Sequence, residues 1–222
     1  MLLALLLFLR APAASATDLC PPTSQHQEWS VQCFQDEAGQ RTVKPMFRNQ
    51  LAVNRDGMTT IMIADPRELV AVDRQGRVVI SGIEHVGDFD YPNAEAGIGR
   101  FFAPVRSATG QIVTKCGYFN ADRLRIVIPA QYDYCQPFLQ GKASVCINCV
   151  PYCSDPDCHD TIMVGGQGSV LAPDGSIRRT YAIRPLEQRC SSPAALHVGT
   201  LGGGRQWTEC RDAAADPFGT LK

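Results

Sequence analysis

Apolar and polar residues follow one another along this chain in short bursts, the spacing of strands rather than of helices. The bursts run Thr59 to Ile63, Leu69 to Val72, Arg77 to Ile80, Gly117 to Phe119, Leu124 to Ile128, Ala143 to Cys146, Ser169 to Leu171 and Ile177 to Tyr181. They are rich in β-branched and aromatic residues and are bounded by Gly, Asp, Asn and Pro. Asp73-Arg74-Gln75-Gly76 and Asp174-Gly175 carry the turn chemistry of hairpin corners. No segment sustains the i, i+3, i+4 apolar spacing of an amphipathic helix. The pattern predicts an all-β fold in which strand exceeds helix.

One stretch is sharper than the rest. Gly117 to Val145 reads GYFNADRLRIVIPAQYDYCQPFLQGKASV: an aromatic strand after a Gly, a turn, a strand ending in Ile-Pro, a Tyr-Asp pair, a Phe, and a Gly-x-Ala-x-Val strand. This resembles the repeat unit of the bacterial WG-repeat family. A related unit precedes it at Leu69 to Phe89, where Ile83 stands six residues before Phe89 as Tyr132 stands six before Phe138. Another opens at Gly168 to Tyr181. Asn49 to Ile63 resembles the closing part of a further unit. The resemblance implies a short array of β-hairpin or meander repeats, each burying its apolar face against its neighbours. It implies no particular chemistry. Within the unit, Tyr132 and Phe138 are expected to pack between strands, and Asp133 to accept hydrogen bonds from backbone amides.

The domain map that follows has a leader at 1–16 and a β domain at 17–190. Its units fall near 69–100, 117–146 and 168–184, a Cys-rich insertion covers 146–160, and a Gly/Ser/Ala-rich tail spans 191–222. The leader is read from the apolar run Leu2 to Leu9 and the small-x-small pattern Ala14-Ser15-Ala16, which place cleavage before Thr17. The first positive side chain, Arg10, follows the apolar run instead of preceding it, as a start upstream of Met1 would explain. The run is too short to span a bilayer, and no later segment approaches that length. Asp18 and Leu19 before Cys20 argue against a lipid anchor there. The expected location is periplasmic or secreted.

With 21 Lys and Arg against 22 Asp and Glu, and no basic cluster, the chain offers no electrostatic footprint for nucleic acid. Ten cysteines all lie beyond the expected cleavage point, which in an exported chain is first read as a disulfide framework. Four of them, with a His, crowd into CINCVPYCSDPDCHD, from Cys146 to Asp160. Three readings compete for that segment. Cys146, Cys149 and His159, with Cys153 or Cys158, have the residue types of a tetrahedral zinc site. Cys146-Ile147-Asn148-Cys149 has the spacing of a thiol-exchange pair, although it follows a strand and precedes Pro151 instead of opening a helix. The third reading, structural disulfides pinning a long connection, is favoured.

The family resemblance bears on this choice. It implies a Cys-x-x-Cys at this point, a loop with a His, and a Gly-Gly before the next unit, which fall here on Cys146, Cys149, His159, Gly165 and Gly166. Cys116, Cys135, Cys153 and Cys158 are additions to that pattern, and additions in pairs imply local bridges. Cys116 opens the first strand of the sharp unit and Cys135 follows its Tyr-Asp turn, so the two are expected to be bonded. No catalytic set is recognisable. Gly165-Gly166-Gln167-Gly168 lacks the Lys-Ser/Thr of a phosphate loop, and Asp155, Asp157 and Asp160 lack the Gly and closing Glu of a calcium loop. Two functions remain: a non-enzymatic β-repeat module binding a protein or cell-envelope component, without a cofactor, or a thiol-dependent protein using Cys146, Cys149 and His159 for zinc binding or disulfide exchange.

Overall fold

The computed structural model describes residues 19–84 and 97–211. The expected leader at 1–16 and the cleavage point at Thr17 lie outside the described residues, as do His85, Phe89 and the end of the tail, 212–222. The chain divides into two units at Val79/Ile80. Among elements built wholly from described residues, helix is limited to short 3₁₀ turns, the longest being Pro45–Gln50. The remaining regular structure is β-sheet, nearly all of it antiparallel, so the fold is all-β.

In the first unit, strands β1 (Phe34–Glu37) and β2 (Gln40–Val43) form a hairpin, and β3 (Met58–Ile63) pairs antiparallel with β4 (Glu68–Asp73) from Met58↔Asp73 to Ile63↔Glu68. Alternating residues of these strands, Ile61 and Ile63 against Val70 and Val72, close over Trp29 and Val43, all of them buried. Trp29 is fixed by its own backbone: its amide donates to the Met62 carbonyl at 2.7 Å, and its carbonyl accepts from Ala64 at 2.9 Å. Cys20 and Cys33, also in this core, are disulfide-bonded with Cα atoms 5.9 Å apart. The corner after β4 forms as the sequence implies. Asp73 Oδ1 accepts the Arg77 amide at 2.9 Å while Oδ2 takes the Arg77 guanidinium at 2.7 Å. Strand β5 (Val78–Ile83) crosses from the first unit into the second.

The second unit contains β6 (Ile98–Arg106), β7 (Ile112–Asn120) and β8 (Arg125–Tyr132), which lie side by side after β5, each antiparallel to its neighbour. A second sheet is ordered β14 (Ile177–Ala182), β13 (Gln167–Leu171), β10 (Ala143–Ile147), β9 (Tyr134–Cys135). A third is ordered β12 (Thr161–Val164), β11 (Val150–Cys153), β16 (Gln206–Cys210), β15 (Leu196–Thr200). Its β11 and β16 meet in parallel at Cys153↔Trp207.

The sharp unit of the sequence is thus the run from β7 to β10. Its aromatic and aliphatic signature residues make one core: Tyr118, Ile128, Tyr132, Phe138, Ala143 and Val145 are all buried, with Ile98 and Leu171 from the flanking strands. Tyr118 and Phe138 meet edge to face at 4.9 Å, and the Tyr118 hydroxyl donates to the Gln136 carbonyl at 2.7 Å. The turn without glycine, Ala121 to Arg123, continues through Leu124, which takes a positive φ of 54°, so the strand begins one residue later than the apolar pattern implies.

Burial governs the phenols of this core. It pushes Tyr118 far above its ordinary value, with the Arg100 guanidinium pulling weakly the other way, and it raises Tyr132 and Tyr134 as well. A phenol whose pKa is higher folded than unfolded adds stability that is complete below the unfolded value. That stability is lost as pH rises from about 10 toward the folded values, because only the unfolded chain then releases the proton. Melting temperature is therefore expected to be level up to about pH 9 and to fall steeply above about pH 10. Phenolate absorbance should appear together with unfolding, and Tyr118 ionising in the intact fold would contradict this.

Candidate functional site

The Cys-rich insertion is a hairpin and not a bare loop. β11 pairs with β12 from Val150↔Val164 to Cys153↔Thr161. Cys146, near the end of β10, is bonded to Cys149, just before β11, with Cα atoms 6.0 Å apart. Tyr134, Met163 and Ile183 pack on this bridge. Cys153 is bonded to Cys158 at the tip of the hairpin, Cα atoms 4.7 Å apart. Cys116 and Cys135 are bonded to each other inside the main core, Cα atoms 6.0 Å apart, and Cys190 to Cys210 beside the last hairpin. In this disulfide form neither Cys146 nor Cys149 offers a thiolate, the species that ligates zinc or attacks a disulfide.

His159 is directed elsewhere. It is exposed, and its Nδ1 lies 3.1 Å from Asp155 Oδ1. Asp155, Asp157 and His159 place their possible ligand atoms within 4.8 Å of one another. Local hydrogen bonds account for this cluster. Asp155 Oδ1 accepts the Asp157 amide at 2.9 Å, and Oδ2 accepts the Ser154 hydroxyl at 3.0 Å. Partial desolvation pushes the Asp155 carboxyl up, but the hydrogen bonds from Ser154, His159 and Asp157 outweigh it and hold the carboxyl below its ordinary value.

Asp133 ties the insertion to the repeat unit. Its Oδ2 accepts the Asn148 amide at 2.6 Å, inside the Cys146–Cys149 corner, and its Oδ1 pairs with the Lys115 ammonium. Asp133→Ala would leave both donors without their acceptor, and Lys115 is only 18% exposed. A loss of about 1–3 kcal/mol is expected in chemical denaturation.

A second feature lies on the sheet face turned away from the main core. In the motif strand Gly141-Lys142-Ala143-Ser144-Val145, the named positions Ala143 and Val145 enter the core, and the intervening positions Lys142 and Ser144 line a cleft of about 280 Å³. Ser144 continues across the sheet to Val170 and then Arg179, directly opposite one another in register. The next row is Cys146, Gly168, Tyr181. Gly168 makes room there: a Cβ would lie 2.4 Å from the Tyr181 ring, which would have to shift from its place over the glycine. Tyr181 in turn carries the Arg179 guanidinium 5.1 Å above its ring centroid. Burial raises the Tyr181 phenol, moderated by a hydrogen bond from Ser144 and by Arg179.

The other wall is the loop from Gln136 to Lys142. Its tip is a tight turn in which Gln140 and Gly141 both take positive φ, 51° and 70°, and Leu139 and Lys142 exchange backbone hydrogen bonds at 2.9 and 3.1 Å. Its base is fixed by the Gln136 amide donating to the Ser144 carbonyl at 2.9 Å and by the Tyr118 hydroxyl. Gln136, Pro137 and Leu139 thereby face Val170 and Arg179 across the cleft. These residues are far apart in sequence. Only strand register brings them together, and the out-facing positions of the motif strand are the signal that could have pointed to them.

Fold and bridges define an all-β protein stapled by disulfides among the described residues. Residues 117–148, spanning β7 to β10, match the family model described as WG containing repeat, so this unit is a WG-containing repeat. No curated protein and no solved structure matches the chain.

Proposed function

We propose that this chain is an exported, non-enzymatic β-repeat module that binds a protein or a component of the cell envelope. The observation that carries the reading is the pairing of all ten cysteines into disulfides, with no free thiol remaining. Such pairing supports folding in an oxidising compartment, periplasmic or extracellular, and leaves no thiolate to ligate zinc or to act as the attacking nucleophile. The expected leader agrees with it. No helix among the described residues is long and apolar enough to cross a membrane. The cleft on the repeat, with apolar walls and a few convergent polar groups, has the make-up of a recognition site.

The test uses the full mature protein purified without reductant. Non-reduced peptide mapping with metal analysis is expected to find every thiol paired and no zinc. The labelled protein is expected to bind isolated envelope fractions saturably and in competition with unlabelled protein. Stoichiometric zinc on Cys146 and Cys149, or catalysed disulfide exchange, would replace this reading with a thiol-dependent one.

A further inference from the structure

We infer that the cleft between the Gln136–Lys142 loop and strands β10, β13 and β14 takes a carboxylate attached to an apolar group. This deepens the binding reading above and rests on it. The carboxylate would be that of a small organic acid or that of the last residue of a peptide.

The charge of the cleft selects the ligand. Lys142 and Arg179 are its two ionisable side chains, both cationic, and no Asp or Glu lines it. Among the described residues neither has a carboxylate partner within 4.0 Å. Two other basic groups of this unit do have such partners: Arg100 pairs with Glu84 at 2.9 Å, and Lys115 with Asp133. Two like charges converging on one cleft repel each other, and an anion between them removes that repulsion while gaining charge-assisted hydrogen bonds.

The geometry is already organised for this. Stacking on Tyr181 holds the Arg179 guanidinium, whose planar fork matches a carboxylate in two parallel hydrogen bonds. The turn at Gln140 and Gly141 fixes the backbone that carries Lys142, and Gln136 lines the same wall. The Arg179 guanidinium therefore needs little further ordering when the ligand arrives. The rest of the lining is apolar, with Pro137 and Leu139 on the loop and Val170 on the sheet. Leu139 is 54% exposed at the mouth, where a ligand's apolar group would cover it. The volume is at the small end of ligand pockets, suited to one compact acid or one terminal residue rather than an extended chain.

The experiment titrates the full disulfide-intact protein by calorimetry with two probe pairs. One is 4-phenylbutyrate and its neutral amide. The other is the peptide acetyl-Gly-Ser-Ala-Phe with a free or an amidated C-terminus. In at least one pair the free acid is expected to bind roughly tenfold or more tightly than the amide, and added salt to weaken it. The pair that shows the difference identifies the source of the carboxylate. Arg179→Gln and Lys142→Gln, at exposed positions, keep part of each stem and remove the charges. Each is expected to weaken acid binding severalfold, the double variant to abolish the preference over the amide, and both to leave the melting temperature unchanged.

Equal binding of acid and amide, no binding of either acid, or a double variant that binds acid like the parent would overturn the inference. If the protein still binds envelope fractions saturably in those cases, the binding-module reading stands without it. If envelope binding is absent too, both fall.

Discussion

Truncating Phe138 to alanine is expected to lower the stability of the folded chain by about 3–5 kcal/mol. The ring is 1% exposed and meets Tyr118 edge to face at 4.9 Å, so its removal costs both transfer free energy and the packing of a second aromatic. Tyr118 cannot simply turn into the space, because its hydroxyl is committed to the Gln136 carbonyl at the base of the cleft loop. The cavity therefore stays largely open. Domains of this size are stable by about 5–15 kcal/mol in total, so the variant should show a large fall in its urea midpoint with little change in slope. Phe138→Leu, which keeps most of the volume, should lose less than half as much. A shift of only a degree or two in melting temperature for Phe138→Ala would mean that the neighbouring strands collapse onto the site.

Removing the Cys116–Cys135 bridge by a double alanine substitution is the other large effect expected. The bonded residues are 19 apart in sequence, and closing a loop of that length reduces the freedom of the unfolded chain by an amount worth about 3 kcal/mol. The Cys146–Cys149 bridge, with a separation of only 3, is worth about 2 kcal/mol on the same basis. Both half-cystines of the longer bridge are fully buried, so alanine also leaves lost contacts in the core. The comparison is the check: denaturation of the two double variants should rank them in that order, and a non-reduced peptide map of the parent should link Cys116 to Cys135. A map linking either to another partner would refute the assignment.

Most strands of the repeat region were legible because two independent signals agreed. Val70 and Val72 lie in a short apolar run, Leu69 to Val72, that ends at a turn whose Asp and Gly have defined tasks, and Ala143, Val145 and Leu171 lie in runs of the same kind. β6 was not legible: Gly99 and Pro104 weaken its strand character, yet nine residues pair with β7 from Ile98↔Asn120 to Arg106↔Ile112. β11 and β12 were hidden by the reading of their segment as a Cys-rich connection. β15 and β16 lie in a stretch rich in Gly, Ser and Ala, with few apolar residues to give a period. They form where Cys190 is bonded to Cys210 and where β16 finds β11, a pairing that local sequence cannot announce. The described part of the tail, 191–211, thus carries a hairpin tied down by the Cys190–Cys210 bridge. The candidate site divides in the same way. Cys146 and Cys149 stood out by spacing, His159 by proximity in sequence, but His159 is tied to Asp155, and the cleft depends on the register that sets Ser144 beside Val170 and Val170 beside Arg179.

The order of the bridges along the chain has a consequence for how the protein is made. Ten cysteines can pair in about nine hundred ways. Here each is joined to the next cysteine in sequence: Cys20 to Cys33, Cys116 to Cys135, Cys146 to Cys149, Cys153 to Cys158, Cys190 to Cys210. No bridge encloses or crosses another. A chain threading into an oxidant from its amino end would meet every correct partner before any wrong one, so vectorial oxidation alone suffices to reach this connectivity. Such a protein has no need of a reshuffling catalyst during synthesis, whereas refolding from the fully reduced, full-length chain, where all ten thiols compete at once, would.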